Sequence, residues 1–253
     1  VRETLDMDPD IRRARTLPSR VYFDAELYER ARERVFVPSW QPVCEIDRLK
    51  APGHVLPFTL LEGCLDEPLV LTHAEDGIVR CLSNVCTHRG TLVVEGEGHL
   101  QTLRCRYHGR RFDLNGCFRF MPEFDEAEGF PSKDDDLPGI ALRQWGPLHF
   151  ASLDPICEFE EWIAPVRERL DWLRPERWTR FEAHTSDYLI PANWAMYCDN
   201  YLEGFHVPYV HAGSLGAKLD YEEHHTELFD WCSLQLGVAK DGQPAFDLPA
   251  GHP

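Results

Sequence analysis

Two short loops of mixed cysteine and histidine constrain this sequence more than any other feature. The stretch "CTHRG" contains Cys86 and His88, and "CRYHG" contains Cys105 and His108, so Cys-x-His is followed by Cys-x-x-His. Each loop ends in a glycine, which lets the backbone bend around a bulky ligand. Thiolates and imidazoles are typical ligands of zinc and of iron–sulfur centres. The pattern therefore predicts one metal centre built from two loops.

The order of the ligands distinguishes a zinc site from an iron–sulfur cluster. Zinc fingers usually take two cysteines from one loop and two histidines from another. In this sequence each loop supplies one cysteine and one histidine. This order favours a two-iron cluster with both thiolates on one iron and both imidazoles on the other, the arrangement of a Rieske centre. A zinc-stabilised binding module is the alternative interpretation of the same four residues.

A second group of candidate ligands lies in the stretch "NWAMYCDNYLEGFHVPYVH". On a helix, Asp199, Glu203 and His206 would share one face, because they are separated by four and three residues. Pro208 would then end the helix and allow His211 to turn back toward His206. Two neutral imidazoles with one carboxylate can bind Fe(II) on one face and leave room for oxygen and substrate. Taken alone, the His-x₄-His spacing describes two surface histidines equally well.

Both stretches resemble motifs of one known family. "CTHRG" with "CRYHGRRFDLNG" resembles the cluster-binding motif of the Rieske non-haem iron ring-hydroxylating oxygenases, and "CDNYLEGFHVPYVH" resembles the mononuclear-iron motif of their alpha subunits. The wording of the second motif is most similar to the choline monooxygenase-like branch. The resemblance implies a [2Fe-2S] Rieske cluster and a mononuclear Fe(II). Its implied ligands are Cys86, His88, Cys105 and His108 for the cluster and His206 and His211 for the iron.

The resemblance also assigns residues around the iron. Glu203 takes the position of the acid that links the iron site to a Rieske histidine of the adjacent subunit, and Asp199 and Asn200 would support the site without binding iron. The family's third iron ligand is an aspartate far downstream, which we expect beyond residue 253. One departure from the family is Arg110, where tryptophan is more usual. We expect this residue to alter packing near the cluster without touching a ligand.

The function implied by the resemblance is that of an oxygenase component. An NAD(P)H-dependent reductase or a ferredoxin would supply electrons through the cluster to the Fe(II), which activates O₂. The substrate would be a small organic molecule, either an aromatic compound or a quaternary amine, that is hydroxylated or demethylated. The resemblance further implies a homotrimer. The alternative is a Rieske-type electron-transfer protein without catalytic iron, which the missing third ligand favours and the second histidine pair opposes.

Composition excludes some classes of partner. A net charge of −17 on 253 residues disfavours nucleic acid, whose phosphates would be repelled. No apolar run approaches the roughly 18 residues of a membrane span, so no membrane association is expected. The nine cysteines are odd in number and irregularly spaced. Without an export signal, they indicate free thiols or metal ligands in a reducing compartment, and we expect a cytoplasmic protein.

The patterns predict an α+β fold in three parts. Residues 1–37 would form an N-terminal arm and a helix that packs on the catalytic domain, and 38–152 a small antiparallel β domain of the Rieske type. Residues 153–253 would form the N-terminal part of a helix-plus-antiparallel-sheet catalytic domain that we expect to be incomplete in this chain. The predicted elements outside the β domain are helices over 24–36 with Asp24 as N-cap, 159–173 and 192–206, and strands over 181–190 and 226–238.

Three further features are predicted to be structural rather than functional. The acidic runs "EFDEAEGF" and "SKDDDLPG" are expected to be solvated loops. His224 and His225, next to two glutamates, are expected in a charged turn, because adjacent side chains point in different directions. The seven cysteines outside the two loops are expected to be small buried thiols.

Overall fold

The computed structural model describes Leu5 and residues 7–251. Residues 1–4 and 6 of the predicted N-terminal arm, and 252–253 of the predicted catalytic part, lie outside the described residues. The chain divides into two units. Residues 32–183 form the larger unit, and the described residues up to 31 group with those from 184 onward in the smaller one. The three-part functional division into 1–37, 38–152 and 153–253 stays a prediction.

The larger unit is built on a seven-stranded sheet in which every neighbouring pair is antiparallel. The strand order is β1-β10-β9-β4-β3-β2-β5. Its strands are β1 Gln41–Glu45, β2 His54–Leu60, β3 Glu67–His73, β4 Val79–Ser83, β5 Gly98–His99, β9 Gly139–Trp145 and β10 Leu148–Ser152. A three-stranded sheet accompanies it, formed by β6 Leu103–Arg104, β7 Arg111–Phe112 and β8 Phe118–Phe120. The prediction of a small antiparallel β domain is thus confirmed.

Both faces of the inner strand β3 are covered by apolar side chains. Leu69, Val70, Leu71 and Thr72 have no exposed surface. Because side chains alternate along a strand, Val70 points into a first core that also contains the two motif cysteines, whereas Leu69 and Leu71 point into a second core. The sheet therefore separates two cores, and the candidate cluster loops belong to the first.

A third core attaches helix α2 (Phe159–Leu170) to the end of the sheet. Phe159 is 1% exposed and meets Trp40 edge-on with ring centroids 5.2 Å apart. The predicted helix over 159–173 is confirmed to Leu170, and a 3₁₀ turn, Asp171–Leu173, completes it. The apolar residues at helical spacing thus form one face of the helix, and that face is buried.

The smaller unit combines short helices with a two-stranded hairpin. Helix α1 (Ala25–Ala31) begins after Asp24, whose Oδ1 accepts hydrogen bonds from the Glu26 and Leu27 N–H groups at 2.9 and 3.3 Å, and a π-helical turn (Arg32–Phe36) continues it along the chain. The predicted N-cap is therefore confirmed. The other elements are α3 Trp194–Leu202, α4 Val207–Val210, α5 Leu215–Lys218, β11 Leu219–Leu228 and β12 Ser233–Ala239.

Three sequence predictions in the second half of the chain are wrong. Residues 181–190 form a short 3₁₀ turn (Glu182–His184) and irregular chain instead of a strand, because no strand in the described range pairs with them. The predicted strand over 226–238 is two strands of a hairpin, since the Phe229 N–H donates to the Cys232 carbonyl at 2.9 Å and closes a turn. The predicted helix over 192–206 ends at Leu202, because Glu203 has an extended backbone.

Helix length and polarity bear on membrane insertion. Within the described range, none of the helices is long and apolar enough to cross a membrane.

Candidate metal centres

The first candidate loop follows β4 and is held by a closed set of backbone hydrogen bonds. The Cys86 N–H donates to the Thr91 carbonyl at 2.8 Å, and the Gly90 N–H donates to the Cys86 carbonyl at 3.0 Å. Gly90 has a φ of +72°, a left-handed conformation that glycine adopts without strain. Just before the loop, the Asn84 amide pairs with both backbone groups of Val94. These bonds fix the direction in which the loop presents its cysteine.

The second loop, between β6 and β7, repeats the same backbone pattern. The Cys105 N–H donates to the Arg110 carbonyl at 2.9 Å, and the Gly109 N–H donates to the Cys105 carbonyl at 3.1 Å. Gly109 also has a positive φ, of +76°. In both loops the cysteine donates to the fifth residue after it and accepts from the glycine four residues after it. Two loops with one geometry are what a centre with matched ligand pairs requires.

The loops bring the four side chains together as two pairs. Cys86 and Cys105 are 3% and 2% exposed, lie in the same core and interact with each other. His88 and His108 meet edge-on with ring centroids 4.9 Å apart. The thiols are buried, whereas His108 is exposed and His88 half-buried. The outer imidazole pair is therefore the side from which the centre is reached.

Pairing by residue type agrees with a two-iron cluster better than with zinc. Zinc takes its four ligands at one point. Each iron of a Rieske cluster takes only two protein ligands, either two thiolates or two imidazoles. The loops supply one pair of each kind, so they fit that cluster.

Burial shapes the ionisation of the loop side chains. It raises the pKa of the Cys86 thiol above its usual range, with a smaller opposing effect from the Arg110 guanidinium. Burial also lowers the pKa of His88, and the neighbouring His108 adds to this effect. A lowered pKa keeps the imidazole neutral at physiological pH, and neutral imidazole is the form that binds metal.

A segment that the sequence analysis treated as solvated touches both loops. The run "SKDDD" was expected to be a solvated loop, but Asp135 pairs with Arg110 of the second loop, and its carbonyl accepts a hydrogen bond from Thr87 Oγ1 of the first at 2.8 Å. Arg110 itself is 3% exposed. The expectation for this run is therefore wrong at Asp135. An arginine in place of the usual tryptophan was the available signal that an acid had to lie beside it.

The second candidate centre lies in the smaller unit, around His206 and His211. Their ring centroids are 5.1 Å apart, so the structure brings the two predicted iron ligands together. The geometric reason differs from the predicted one, because Pro208 lies in the first turn of α4 rather than at the end of a long helix. His206 precedes this short helix and His211 follows it, which places both rings at its two ends.

Glu203 contacts one of these histidines directly. Its Oε1 lies 2.5 Å from His206 Nδ1, and its Oε2 accepts the Phe205 N–H at 2.7 Å. The hydrogen bond with His206 lowers the pKa of Glu203, so the group is a carboxylate near neutral pH. A carboxylate at Nδ1 selects the tautomer that leaves Nε2 with a free lone pair for a metal. The structure thus connects Glu203 to His206 of its own chain.

The remaining predicted residues lie close by in different roles. Asp199 accepts a hydrogen bond from the Tyr22 hydroxyl group, which raises the pKa of Tyr22. Asn200 lines a cavity of about 320 Å³ together with Glu203, His206 and His211. The structure thus brings Asn200 to the cavity, whereas Asp199 contacts the N-terminal segment.

A histidine that the sequence analysis assigned to a charged turn also lines this cavity. His224 lies on strand β11 and faces the cavity, whereas His225 is exposed, so the predicted turn is wrong. The alternation of a strand separates the two adjacent rings. The burial pattern of this strand does not alternate regularly, and its pairing is shifted between Asp220 and His225, so the sequence held no clear signal that would have placed His224.

Comparison with known families agrees with the two candidate centres. Residues 39–131 match the Rieske [2Fe-2S] domain, and residues 175–245 match the catalytic domain of the ring-hydroxylating alpha subunit. The first match contains both cysteine–histidine loops, and the second contains the His206–His211 pair.

Two kinds of relative are found among characterised proteins. The chain is 30% identical to choline monooxygenase, chloroplastic, of Arabidopsis thaliana, over 96% of this chain and 60% of that protein. It is 28% identical to the carnitine monooxygenase oxygenase subunit of Escherichia coli K12, over 93% of this chain and 62% of that protein. The chain therefore spans about three fifths of the length of these relatives.

Solved structures share the fold. The quaternary ammonium Rieske monooxygenase CntA superposes with a TM-score of 0.74 at 24% identity, over 90% of this chain and 63% of that chain. Naphthalene 1,2-dioxygenase from Rhodococcus sp. superposes with a TM-score of 0.70 at 24% identity, over 90% of this chain and 55% of that chain. The chain combines a Rieske [2Fe-2S] domain with part of a ring-hydroxylating alpha-subunit catalytic domain, which places it in the family of Rieske non-haem iron oxygenases.

Proposed function

We propose that this chain acts in the oxygenase component of a Rieske oxygenase system. The observation that carries the proposal is that one chain holds a buried thiol pair with an outer imidazole pair and, separately, the His206–His211 pair on a cavity. When bound, a [2Fe-2S] cluster passes single electrons and a mononuclear iron activates O₂. The product would be a hydroxylated or demethylated small organic molecule.

The residues have distinct roles in this proposal. Cys86 and Cys105 would hold one iron of the cluster, and His88 and His108 the other. The two loops fix these side chains through their matched backbone hydrogen bonds, so little reorganisation accompanies a change of charge.

In the smaller unit, His206, His211 and His224 all line the cavity. His206 and His211 would bind the catalytic iron, and Glu203 orients His206 by accepting its Nδ1–H. Asn200 lines the same cavity and would contact substrate or solvent there. Asp199 positions the helix that carries Asn200 through its contact with Tyr22.

The cavity suits a cationic organic substrate. Its volume of about 320 Å³ lies at the lower end of the usual range for ligand sites, roughly 300–1,000 Å³. Tyr201 and Tyr221 line it together with the acidic Asp220 and Glu203. Aromatic faces and carboxylates attract quaternary ammonium groups, and the net charge of −17 favours their approach. We therefore favour a quaternary amine over a neutral aromatic compound.

The partners and location follow from the same proposal. An NAD(P)H-dependent reductase or a ferredoxin would deliver electrons at the outer imidazole pair. A homotrimer would let one subunit's cluster serve another's iron, as the inter-subunit electron transfer described for a quaternary ammonium Rieske monooxygenase supports. All nine cysteines lie in the described range and are free thiols, which supports a reducing cytoplasm.

Metal analysis of anaerobically purified protein tests the cluster assignment. We expect two irons and two sulfides per [2Fe-2S] domain, with the visible and EPR spectra of a Rieske centre. Cys86→Ala should abolish these spectra, whereas the matched control Cys64→Ala, at a half-buried thiol of the same unit, should keep them. A colourless protein that contains only zinc would refute the proposal.

A histidine pair tests the second metal. In the complete gene product, His206→Ala should keep the cluster spectra, lose one further iron and abolish turnover of choline-like substrates. The control His225→Ala, at an exposed ring on β11, should retain the further iron and the turnover. Turnover that survives in His206→Ala would contradict the assignment of the catalytic iron. A wild-type protein with the cluster and no further iron would support the electron-transfer alternative.

A further inference from the structure

Arg110 is a charged side chain in an apolar interior. It is 3% exposed, and its guanidinium carbon lies 5.0 Å from the ring centre of Phe118, 5.6 Å from that of Phe130 and 5.9 Å from that of Phe112. Its Nε is buried and has no hydrogen-bond partner among the described residues. Burying a charge is costly unless another group compensates it. The only acid in an ion pair with Arg110 within the described range is Asp135.

Asp135 links the two candidate cluster loops. Its carboxylate pairs with Arg110, whose carbonyl accepts the Cys105 N–H at 2.9 Å. Its own carbonyl accepts Thr87 Oγ1 at 2.8 Å, next to Cys86. One residue thus contacts both loops, once through its side chain and once through its backbone. The ion pair therefore lies next to the residues that present both thiols.

The pair is itself held in place. The Ser132 N–H donates to Asp135 Oδ2 at 2.7 Å, so the carboxylate cannot rotate freely away from the guanidinium. The three phenylalanine rings exclude water from the other side of Arg110, and charges in such surroundings are screened much less than charges at the surface.

We propose that Arg110 and Asp135 are positioning residues that set the reduction potential of the cluster with opposite signs. The inference rests on the proposed assignment of the four loop side chains as cluster ligands. On reduction, one electron from the donor converts one ferric iron to ferrous iron, no bond is broken, and the cluster becomes more negative by one charge. The Arg110 cation favours that added charge, and the Asp135 anion disfavours it.

Two variants, each of which removes one charge, test this inference by the direction in which they shift the midpoint potential. Redox titration of the cluster-loaded chain with dithionite at fixed pH, followed by EPR, gives the midpoint potential. Asp135→Asn should raise the midpoint potential, and Arg110→Met should lower it. Each variant should change the reduction equilibrium about tenfold, which corresponds to about 59 mV for one electron. The double variant should return toward the wild-type value. A purely structural role would not produce shifts of opposite sign.

An exposed ion pair in the same region provides the control. Arg106 pairs with Glu95 at 2.7 Å, and their side chains are 75% and 50% exposed. Because water screens these charges, Arg106→Met and Glu95→Gln should each change the reduction equilibrium less than about threefold. Shifts as large as those at Arg110 would overturn the proposal, because burial would then have no special effect.

The remaining outcomes separate this inference from the proposed function. Shifts in the same direction, or no shift, in Arg110→Met and Asp135→Asn with an intact cluster spectrum would overturn the inference alone. If Arg110→Met loses the cluster, the sign in Asp135→Asn decides, since only a rise supports the proposal. A wild-type chain without a Rieske spectrum would refute the proposed function and this inference with it.

Discussion

Replacement of Asn84 tests how the first candidate loop is anchored. Asn84 is 3% exposed, its Nδ2 donates to the Val94 carbonyl at 2.7 Å, and its Oδ1 accepts the Val94 N–H at 2.8 Å. Val94 is itself 4% exposed, so its backbone groups are shielded from bulk water. Asn84→Ala leaves two buried backbone groups unpaired at about 1–3 kcal/mol each. We therefore expect the free energy of unfolding to fall by about 2–6 kcal/mol.

Urea unfolding followed by far-UV circular dichroism measures this loss. A loss of about 3 kcal/mol moves the unfolding midpoint by about 1 M when the m-value is about 3 kcal/mol/M. The matched control is Asn115→Ala, at an exposed asparagine of the same unit, which should change stability by less than about 0.5 kcal/mol. Iron content after purification should fall in Asn84→Ala and stay unchanged in the control. If the two variants were equally stable, the amide of Asn84 would not anchor the loop.

Other residues give predictions of different kinds. Gly146→Ala should destabilise the larger unit by about 2 kcal/mol or more in the same urea assay, because Gly146 has a φ of +54° and an added Cβ would lie 2.7 Å from Pro175; an unchanged midpoint would contradict this. Burial lowers the pKa of His149 in the folded protein, so as the pH falls the unfolded chain binds a proton at this histidine before the folded chain does. The stability that neutral His149 contributes above about pH 6.5 is therefore lost as the pH falls through the lowered pKa. His149→Gln should flatten that part of the pH dependence of thermal unfolding, and an unaltered slope would refute the reasoning. Burial raises the pKa of Cys44 and of Cys81 to about 12, which leaves a thiolate fraction of about 10⁻⁴ at pH 8. Peptide mass mapping should find neither thiol alkylated by iodoacetamide in the native protein, and rapid labelling of either would show that it is accessible.

Local patterns predicted the parts of the molecule that depend on local interactions. The helix beginning after Asp24 and the strands before residue 106 follow from N-cap chemistry and alternating apolar residues. The two candidate cluster loops were predictable because each cysteine–histidine pair is closely spaced and a glycine closes each loop. The approach of His206 to His211 was also expected, and their role as iron ligands stays a prediction.

Long-range contacts account for what the sequence did not show. Arg110 and Asp135 are 25 residues apart, and nothing in an acidic run distinguishes the one carboxylate that pairs with a buried arginine. The residues around Leu189 have the composition of a strand, but Leu189 is fully exposed. A strand must pair with a neighbouring strand, and the β-propensity of a segment does not provide one. The hairpin of β11 and β12 was missed since its turn lies among apolar residues rather than among glycines and prolines.

The contact of Asp135 with both loops bears on where a working fragment of this protein can be cut. The Rieske match ends at residue 131, after all four proposed ligands. Asp135, the buried Leu137 of the first core and strands β9 and β10 all follow that point. A fragment cut at residue 131 would keep every ligand and lose the residues that hold the loops together. We therefore expect the loops to gain their final geometry on the ribosome only after β10 has emerged, so that metal insertion would follow completion of the sheet rather than synthesis of the last proposed ligand.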